Sequence, residues 1–115
     1  MSIKRIDTNK LMSKAVISGD TVYLSGLTAS DRSQDVKGQC KQILDTIDDY
    51  LAQAGTNKSK ILAAQIWLTD IGTWADMNEI WVEWIDPANP PARATVEAKL
   101  AVPDLYIEIM VTAAL

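Results

Sequence analysis

Histidine is absent from this 115-residue chain, and cysteine occurs once. Without imidazole there is no hydrolytic triad of the kind in which histidine is the general base. With a single thiolate besides, most zinc and transition-metal chemistry is excluded, because those ions favour imidazole and thiolate ligands, and no metal site is expected. The lone Cys40 cannot close an intramolecular disulfide, which fits a reducing compartment, so a cytoplasmic location is expected. The opening MSIKRIDTNK has no apolar segment after its basic residues, as an export signal would need. Nor does any run approach the roughly 20 apolar residues that span a bilayer, so no membrane partner is expected.

Basic charge is also scarce. Net charge is −4 and the isoelectric point is near 4.6, with the eleven Lys and Arg scattered along the chain. Nucleic-acid binding rests on phosphate neutralisation by clustered basic side chains, so this balance counts against a nucleic-acid partner. Catalysis, if present, must run on carboxylates, Arg, Lys, hydroxyls, backbone groups and water.

What remains is an ordinary globular composition, 48% hydrophobic and 23% charged, long enough for one core and one domain over residues 1–115. Alternation predicts a strand over 3–7, then a hairpin with arms 15–18 and 21–26 around a type II′ turn at Gly19-Asp20. Val36, Cys40, Ile43, Leu44, Ile47, Leu51 and Ala54 recur every three or four residues, which is one face of a helix over 34–54 that Gly55 stops. Cys40 lies on that face and reads as a buried structural thiol. The run 59–69 is apolar on both parities and reads as a central strand buried on both faces. A second helix over 73–85 carries Trp74, Met77, Trp81 and Trp84 on one stripe, which reads as core in preference to a ligand box. The stiff segment Asp86 to Pro91 then leads into strands 93–100 and 105–113.

The order β-β-β-α-β-α-β-β describes an α+β domain with both helices on one face of a mixed sheet. The uncovered face should be polar, yet the central strand is apolar on both sides. A second copy of the chain packed there is the expected explanation, in a closed homo-oligomer.

Only three arginines occur, and Arg93 opens a strand immediately after the Pro-Pro connection. Parity groups Arg93, Thr95 and Glu97, and the sequence assigns them to the uncovered face. A guanidinium there needs an anion. Residue chemistry leaves two candidates open, a Glu97 or Glu108 carboxylate from a neighbouring chain or a bound carboxylate ligand. If the last two strands pair as a hairpin through 101–104, Glu97 faces Glu108, and two opposed carboxylates would raise one of their pKa values. In that register Arg93 stands about 13 Å from its own Glu108, so a shared site would draw the two from adjacent chains.

Val22-Tyr23-Leu24-Ser25-Gly26, Ala75-Asp76-Met77-Asn78 and above all Pro91-Ala92-Arg93-Ala94-Thr95-Val96-Glu97 with Ile107-Glu108-Ile109 resemble the RidA/YjgF reactive-intermediate deaminase family, nearest in outline to its YoaB-like branch. The resemblance implies a chorismate-mutase-like fold, a barrel-like homotrimer with pockets between subunits, and no cofactor. It also implies hydrolysis of small enamine or imine intermediates such as 2-aminoacrylate to 2-keto acids and ammonia. Arg93 would then bind the substrate carboxylate, Thr95 and Asn78 would contact substrate, and Glu108 would activate water. Founding members carry a tyrosine where this chain has Met12, and often a cysteine where it has Thr95. Two further readings stand beside the deaminase: a non-catalytic module that binds a small carboxylate metabolite or a partner enzyme, and, least favoured, a ribonuclease.

Overall fold

The computed structural model, which describes residues 2–115, joins the alternating segments at the start of the chain into antiparallel pairs. Strand β1 (Ile3–Thr8) pairs antiparallel with β2 (Ser13–Ser18), which pairs antiparallel with β3 (Thr21–Leu24). The β2–β3 turn has Gly19 at φ +61, and Asp7 is the only non-glycine with positive φ among the described residues. Positive φ at the first central position without it at Asp20 fits the expected type II′ geometry.

Helix α1 (Val36–Ala54) starts two residues later than the periodicity suggested, because Asp35 caps it. Its side chain accepts from the backbone N–H of Gly38 at 2.9 Å. Gly55 ends the helix at φ +91, a left-handed conformation suited to glycine, and its N–H returns to Ala52. The apolar stripe of α1 is buried as read, Cys40 included, except that Ala54 at its end is only partly covered. Strand β4 (Ile61–Leu68) follows a 3-10 turn, and helix α2 (Trp74–Trp84) follows another at Ile71–Thr73. Strands β5 (Ala92–Glu97) and β6 (Ile107–Ala114) close the chain.

The six strands form one sheet in the order β1-β2-β3-β6-β4-β5. Only β4 and β5 run parallel, so the sheet is mixed, as read from the sequence. Both helices cover the same side. Ile43, Leu44, Ile47, Ile66, Leu68, Ile107 and Ile109 are all but fully buried between them and the sheet. One fully buried polar side chain, Gln39 on α1, ties the connection before β6 to the core. It donates through Nε2 to the carbonyls of Gln34 and Asp104, and its Oε1 accepts from the N–H of Tyr106 at 2.9 Å.

Two expectations about the sheet are corrected. β5 and β6 do not form a hairpin, because β4 lies between them. A connection from Ala98 to Tyr106 is long enough to step over one strand, and the β4–β5 pairing makes a right-handed crossover through α2 the cheaper route. β4 is also not covered on both faces. Ala64, Ile66 and Leu68 are buried under the helices, whereas Leu62 and Ala63 are exposed on the other side. That open face still carries Tyr23, Val96 and Met110 with about half of each side chain uncovered, so its apolar character is as read.

Candidate functional site

Directly paired residues on neighbouring strands point to the same side of a sheet. Arg93 pairs with Ala64, which pairs with Val111; Thr95 is in line with Ile66 and Ile109; Glu97 is in line with Leu68 and Ile107. Those partners are core residues. Arg93, Thr95 and Glu97 therefore face the helices, not the open face to which the sequence assigned them. The reason is that β5 runs parallel to β4, and its alternation had been referred to the wrong neighbour.

β5 is an edge strand, and α2 overhangs it. The Arg93 guanidinium reaches α2 and donates from Nη1 to Asn78 Oδ1 at 2.9 Å. Its Cζ lies 5.2 Å from the Trp81 ring centroid and 5.7 Å from that of Trp74. Two indole faces attract the cation and fix its plane. Burial pulls the Arg93 pKa below its ordinary value, but a guanidinium remains charged across the physiological range. Among the described residues, no carboxylate stands within ion-pair distance of it. Most of its five N–H donors are left unspent.

Thr95 sits two residues along, and its Oγ1 is buried without a hydrogen-bond partner. Glu97 does something the sequence did not suggest: its Oε1 accepts the N–H of Ile71 at 3.1 Å, pinning the turn that leads into α2. It does not meet Glu108, which pairs across the strand with Trp67. The predicted carboxylate pair does not exist.

Glu108 points to the open face, in line with Trp67 and Val96. Its carboxylate lies against Gly26, where an added Cβ would collide with Oε2. Ser25, the residue before it, has its hydroxyl buried and unpartnered. So the chain presents two half-sites, a guanidinium on the helix side of the β5 edge and a carboxylate with small neighbours on the open side. From Arg93 to Glu108 is two strands across and three residues along, about 14 Å between backbones. They are held apart by the sheet itself. Asn78, expected as a substrate contact, accepts from Arg93 through its oxygen.

Gly26, Trp74 and Trp81 were missed as site residues. For Gly26 a signal existed: a glycine just past a strand can mark a close approach by another group. For the tryptophans there was none, because a helical stripe reads as core. Met77 and Trp81 are indeed buried, but Trp74 remains 42% exposed.

The sequence pattern of the endoribonuclease L-PSP family matches residues 2–115. A RutC family protein from Haemophilus ducreyi is 41% identical over 113 residues, covering 98% of this chain and 97% of the relative. The RutC family protein YoaB of Escherichia coli K12 is 38% identical over 114 residues, 99% of each chain. Among solved structures, a member of the YjgF protein family from Neisseria meningitidis superposes with a TM-score of 0.94 at 36% identity, covering 99% of this chain and 95% of that one.

Proposed function

The chain belongs to the endoribonuclease L-PSP family, that of the RutC and YjgF proteins, and from that premise we propose that it is a cofactor-independent deaminase. It hydrolyses small 2-imino acids, 2-aminoacrylate after tautomerisation among them, in a site shared by two copies of the chain. The observation that carries this reading is the Arg93 guanidinium, oriented by Asn78 and two tryptophans and lacking a carboxylate partner among the described residues.

A planar fork with free donors suits a carboxylate held by two parallel hydrogen bonds. Such a clamp fixes the adjacent C=N carbon, which is already electrophilic when the imine is protonated, so a positioned water and a base suffice. Glu108 of a neighbouring copy takes a proton from that water as its oxygen bonds to the carbon. The carbinolamine then collapses: Glu108 returns its proton to the nitrogen, the hydroxyl proton passes to the freed carboxylate, the C=O bond forms and the C–N bond breaks with ammonia leaving. One imine and one water yield one 2-keto acid and one ammonia. Thr95, with its unpaired hydroxyl, is the second substrate contact. Assembly as a closed homotrimer is part of the proposal, supported by the apolar open face around Tyr23, Val96 and Met110.

The test is ammonia release from freshly generated 2-aminoacrylate. The wild-type chain should accelerate it and Arg93→Ala should not; equal rates for the two, or none above buffer, would sink the proposal. Cleavage of RNA, which the family's description names, is weighed down by the absent histidine and the net charge of −4. RNA degradation that depends on Arg93 would reverse that judgement.

A further inference from the structure

The stripe of large side chains on α2 splits in the folded chain. Met77 and Trp81 are buried, Trp84 is half-buried with its Nε1 donating to Asp48 at 2.9 Å, and Trp74 alone keeps 42% of its surface open. Ile71, one turn earlier, is 45% exposed. Leaving this much of a tryptophan in water forgoes a large part of its burial energy.

Its position has a definite relation to the arginine. β5 and α2 lie side by side, tied at two points: Arg93 to Asn78, and Glu97 to the N–H of Ile71. Thr95 lies between these ties on β5, as Trp74 lies between them on α2. An unspent guanidinium and two exposed apolar side chains thus border one strip of surface, with the unpartnered Thr95 hydroxyl buried between the two ties. Such a strip matches a molecule with a carboxylate at one end and an apolar body a few atoms away. A molecule with only a methyl beyond its carboxylate would reach Arg93 and leave Trp74 and Ile71 wet.

We propose that Trp74, with Ile71, forms the side-chain subsite of the Arg93 clamp and that the chain selects 2-imino acids with branched or aromatic side chains over the smallest ones. This rests on the reading of Arg93 as a carboxylate clamp. The indole face packs against the side chain while Arg93 holds the carboxylate, so selectivity comes from apolar contact removed from the reacting carbon.

The experiment separates binding from turnover. Titration calorimetry of the intact protein with pyruvate, 2-oxo-4-methylpentanoate and phenylpyruvate, product-like probes of increasing bulk, is run for wild type, Trp74→Ala and Trp74→Phe. Wild type should bind the two larger probes at least about tenfold more tightly than pyruvate, the scale that a few methylenes provide in an apolar subsite. Trp74→Ala should compress that ratio below about twofold, and Trp74→Phe should restore most of it. A ratio that is flat in wild type, or one that survives Trp74→Ala, overturns the proposal, as does failure of all three probes to bind. If the probes show the expected ratios but no imine is hydrolysed, the deaminase reading falls and the subsite stands. A parallel series of imines made in situ from alanine, leucine and phenylalanine should show the same ranking in kcat/KM.

Discussion

Arg93 and Glu108 lie on opposite faces of the same sheet, with β4 between their strands. No small substrate reaches both within one chain, so the two groups must be supplied by different copies if they serve one reaction. Arg93→Ala and Glu108→Gln should each be inactive alone, yet refolding them together should recover activity. In a cyclic assembly with random mixing, about a quarter of the sites receive both intact groups. Ammonia release by the mixed preparation checks this, and no recovery would show that the shared site is wrong.

Asn78 holds the arginine through one hydrogen bond. Asn78→Ala removes about 1 to 1.5 kcal/mol of orientation, which corresponds to roughly a tenfold rise in KM with kcat little changed. Asn78→Asp should do the reverse to stability and worse to binding. The new carboxylate pairs with Arg93, so the melting temperature holds or rises while the substrate carboxylate meets a competitor. Steady-state kinetics beside thermal melts test the pair of outcomes.

Gly26→Ala places a methyl where the Glu108 carboxylate rests. The obstructing atom is the end of a flexible side chain, so the carboxylate moves aside and the fold survives. A drop in kcat of tenfold or more, with a melting temperature within a few degrees of wild type, is the expected result. A large loss of stability would mean that the glycine serves the backbone instead.

Gln39 satisfies backbone groups before α1 and at the end of the connection that delivers β6. Gln39→Leu removes the side-chain partner of two part-buried carbonyls and one N–H, a cost of about 1 to 3 kcal/mol. Urea unfolding should show that loss as a lower midpoint with an unchanged slope.

Burial pushes the Cys40 thiol from 9.0 up to about 12. The folded chain therefore keeps a proton that the unfolded chain releases, so stability is complete below pH 9 and declines as pH rises towards 12. Tyr50, whose hydroxyl donates to Asp7 at 2.6 Å, is likewise raised to about 12 from 10.0, and its share is lost over the upper part of that window. Cys40→Ala should flatten the alkaline limb of stability against pH. Native protein should resist alkylation at pH 8, and rapid labelling there would contradict the assignment.

The helices, the Gly55 stop and the buried stripe of α1 were legible because each is written in local spacing: apolar residues every three or four positions, Gly55 at the stop, Gly19 at the turn. The Pro91-Ala92-Arg93 and Ile107-Glu108-Ile109 segments carried the resemblance and pointed to Arg93 and Glu108. Strand alternation likewise said that Arg93, Thr95 and Glu97 share a side.

Which side they share was decided only by the tertiary structure. Period-two alternation has no absolute sign; it acquires one when a strand finds its neighbour, and β5 chose β4 in parallel instead of β6 in a hairpin. That one pairing turned Arg93 under α2, separated Glu97 from Glu108 and gave Asn78, Trp74 and Trp81 their part in the site. Sequence determined the elements and the chemistry available, because those depend on neighbours along the chain. The placement of that chemistry depended on which strands pair across long separations, a choice made by packing the whole sheet against two helices.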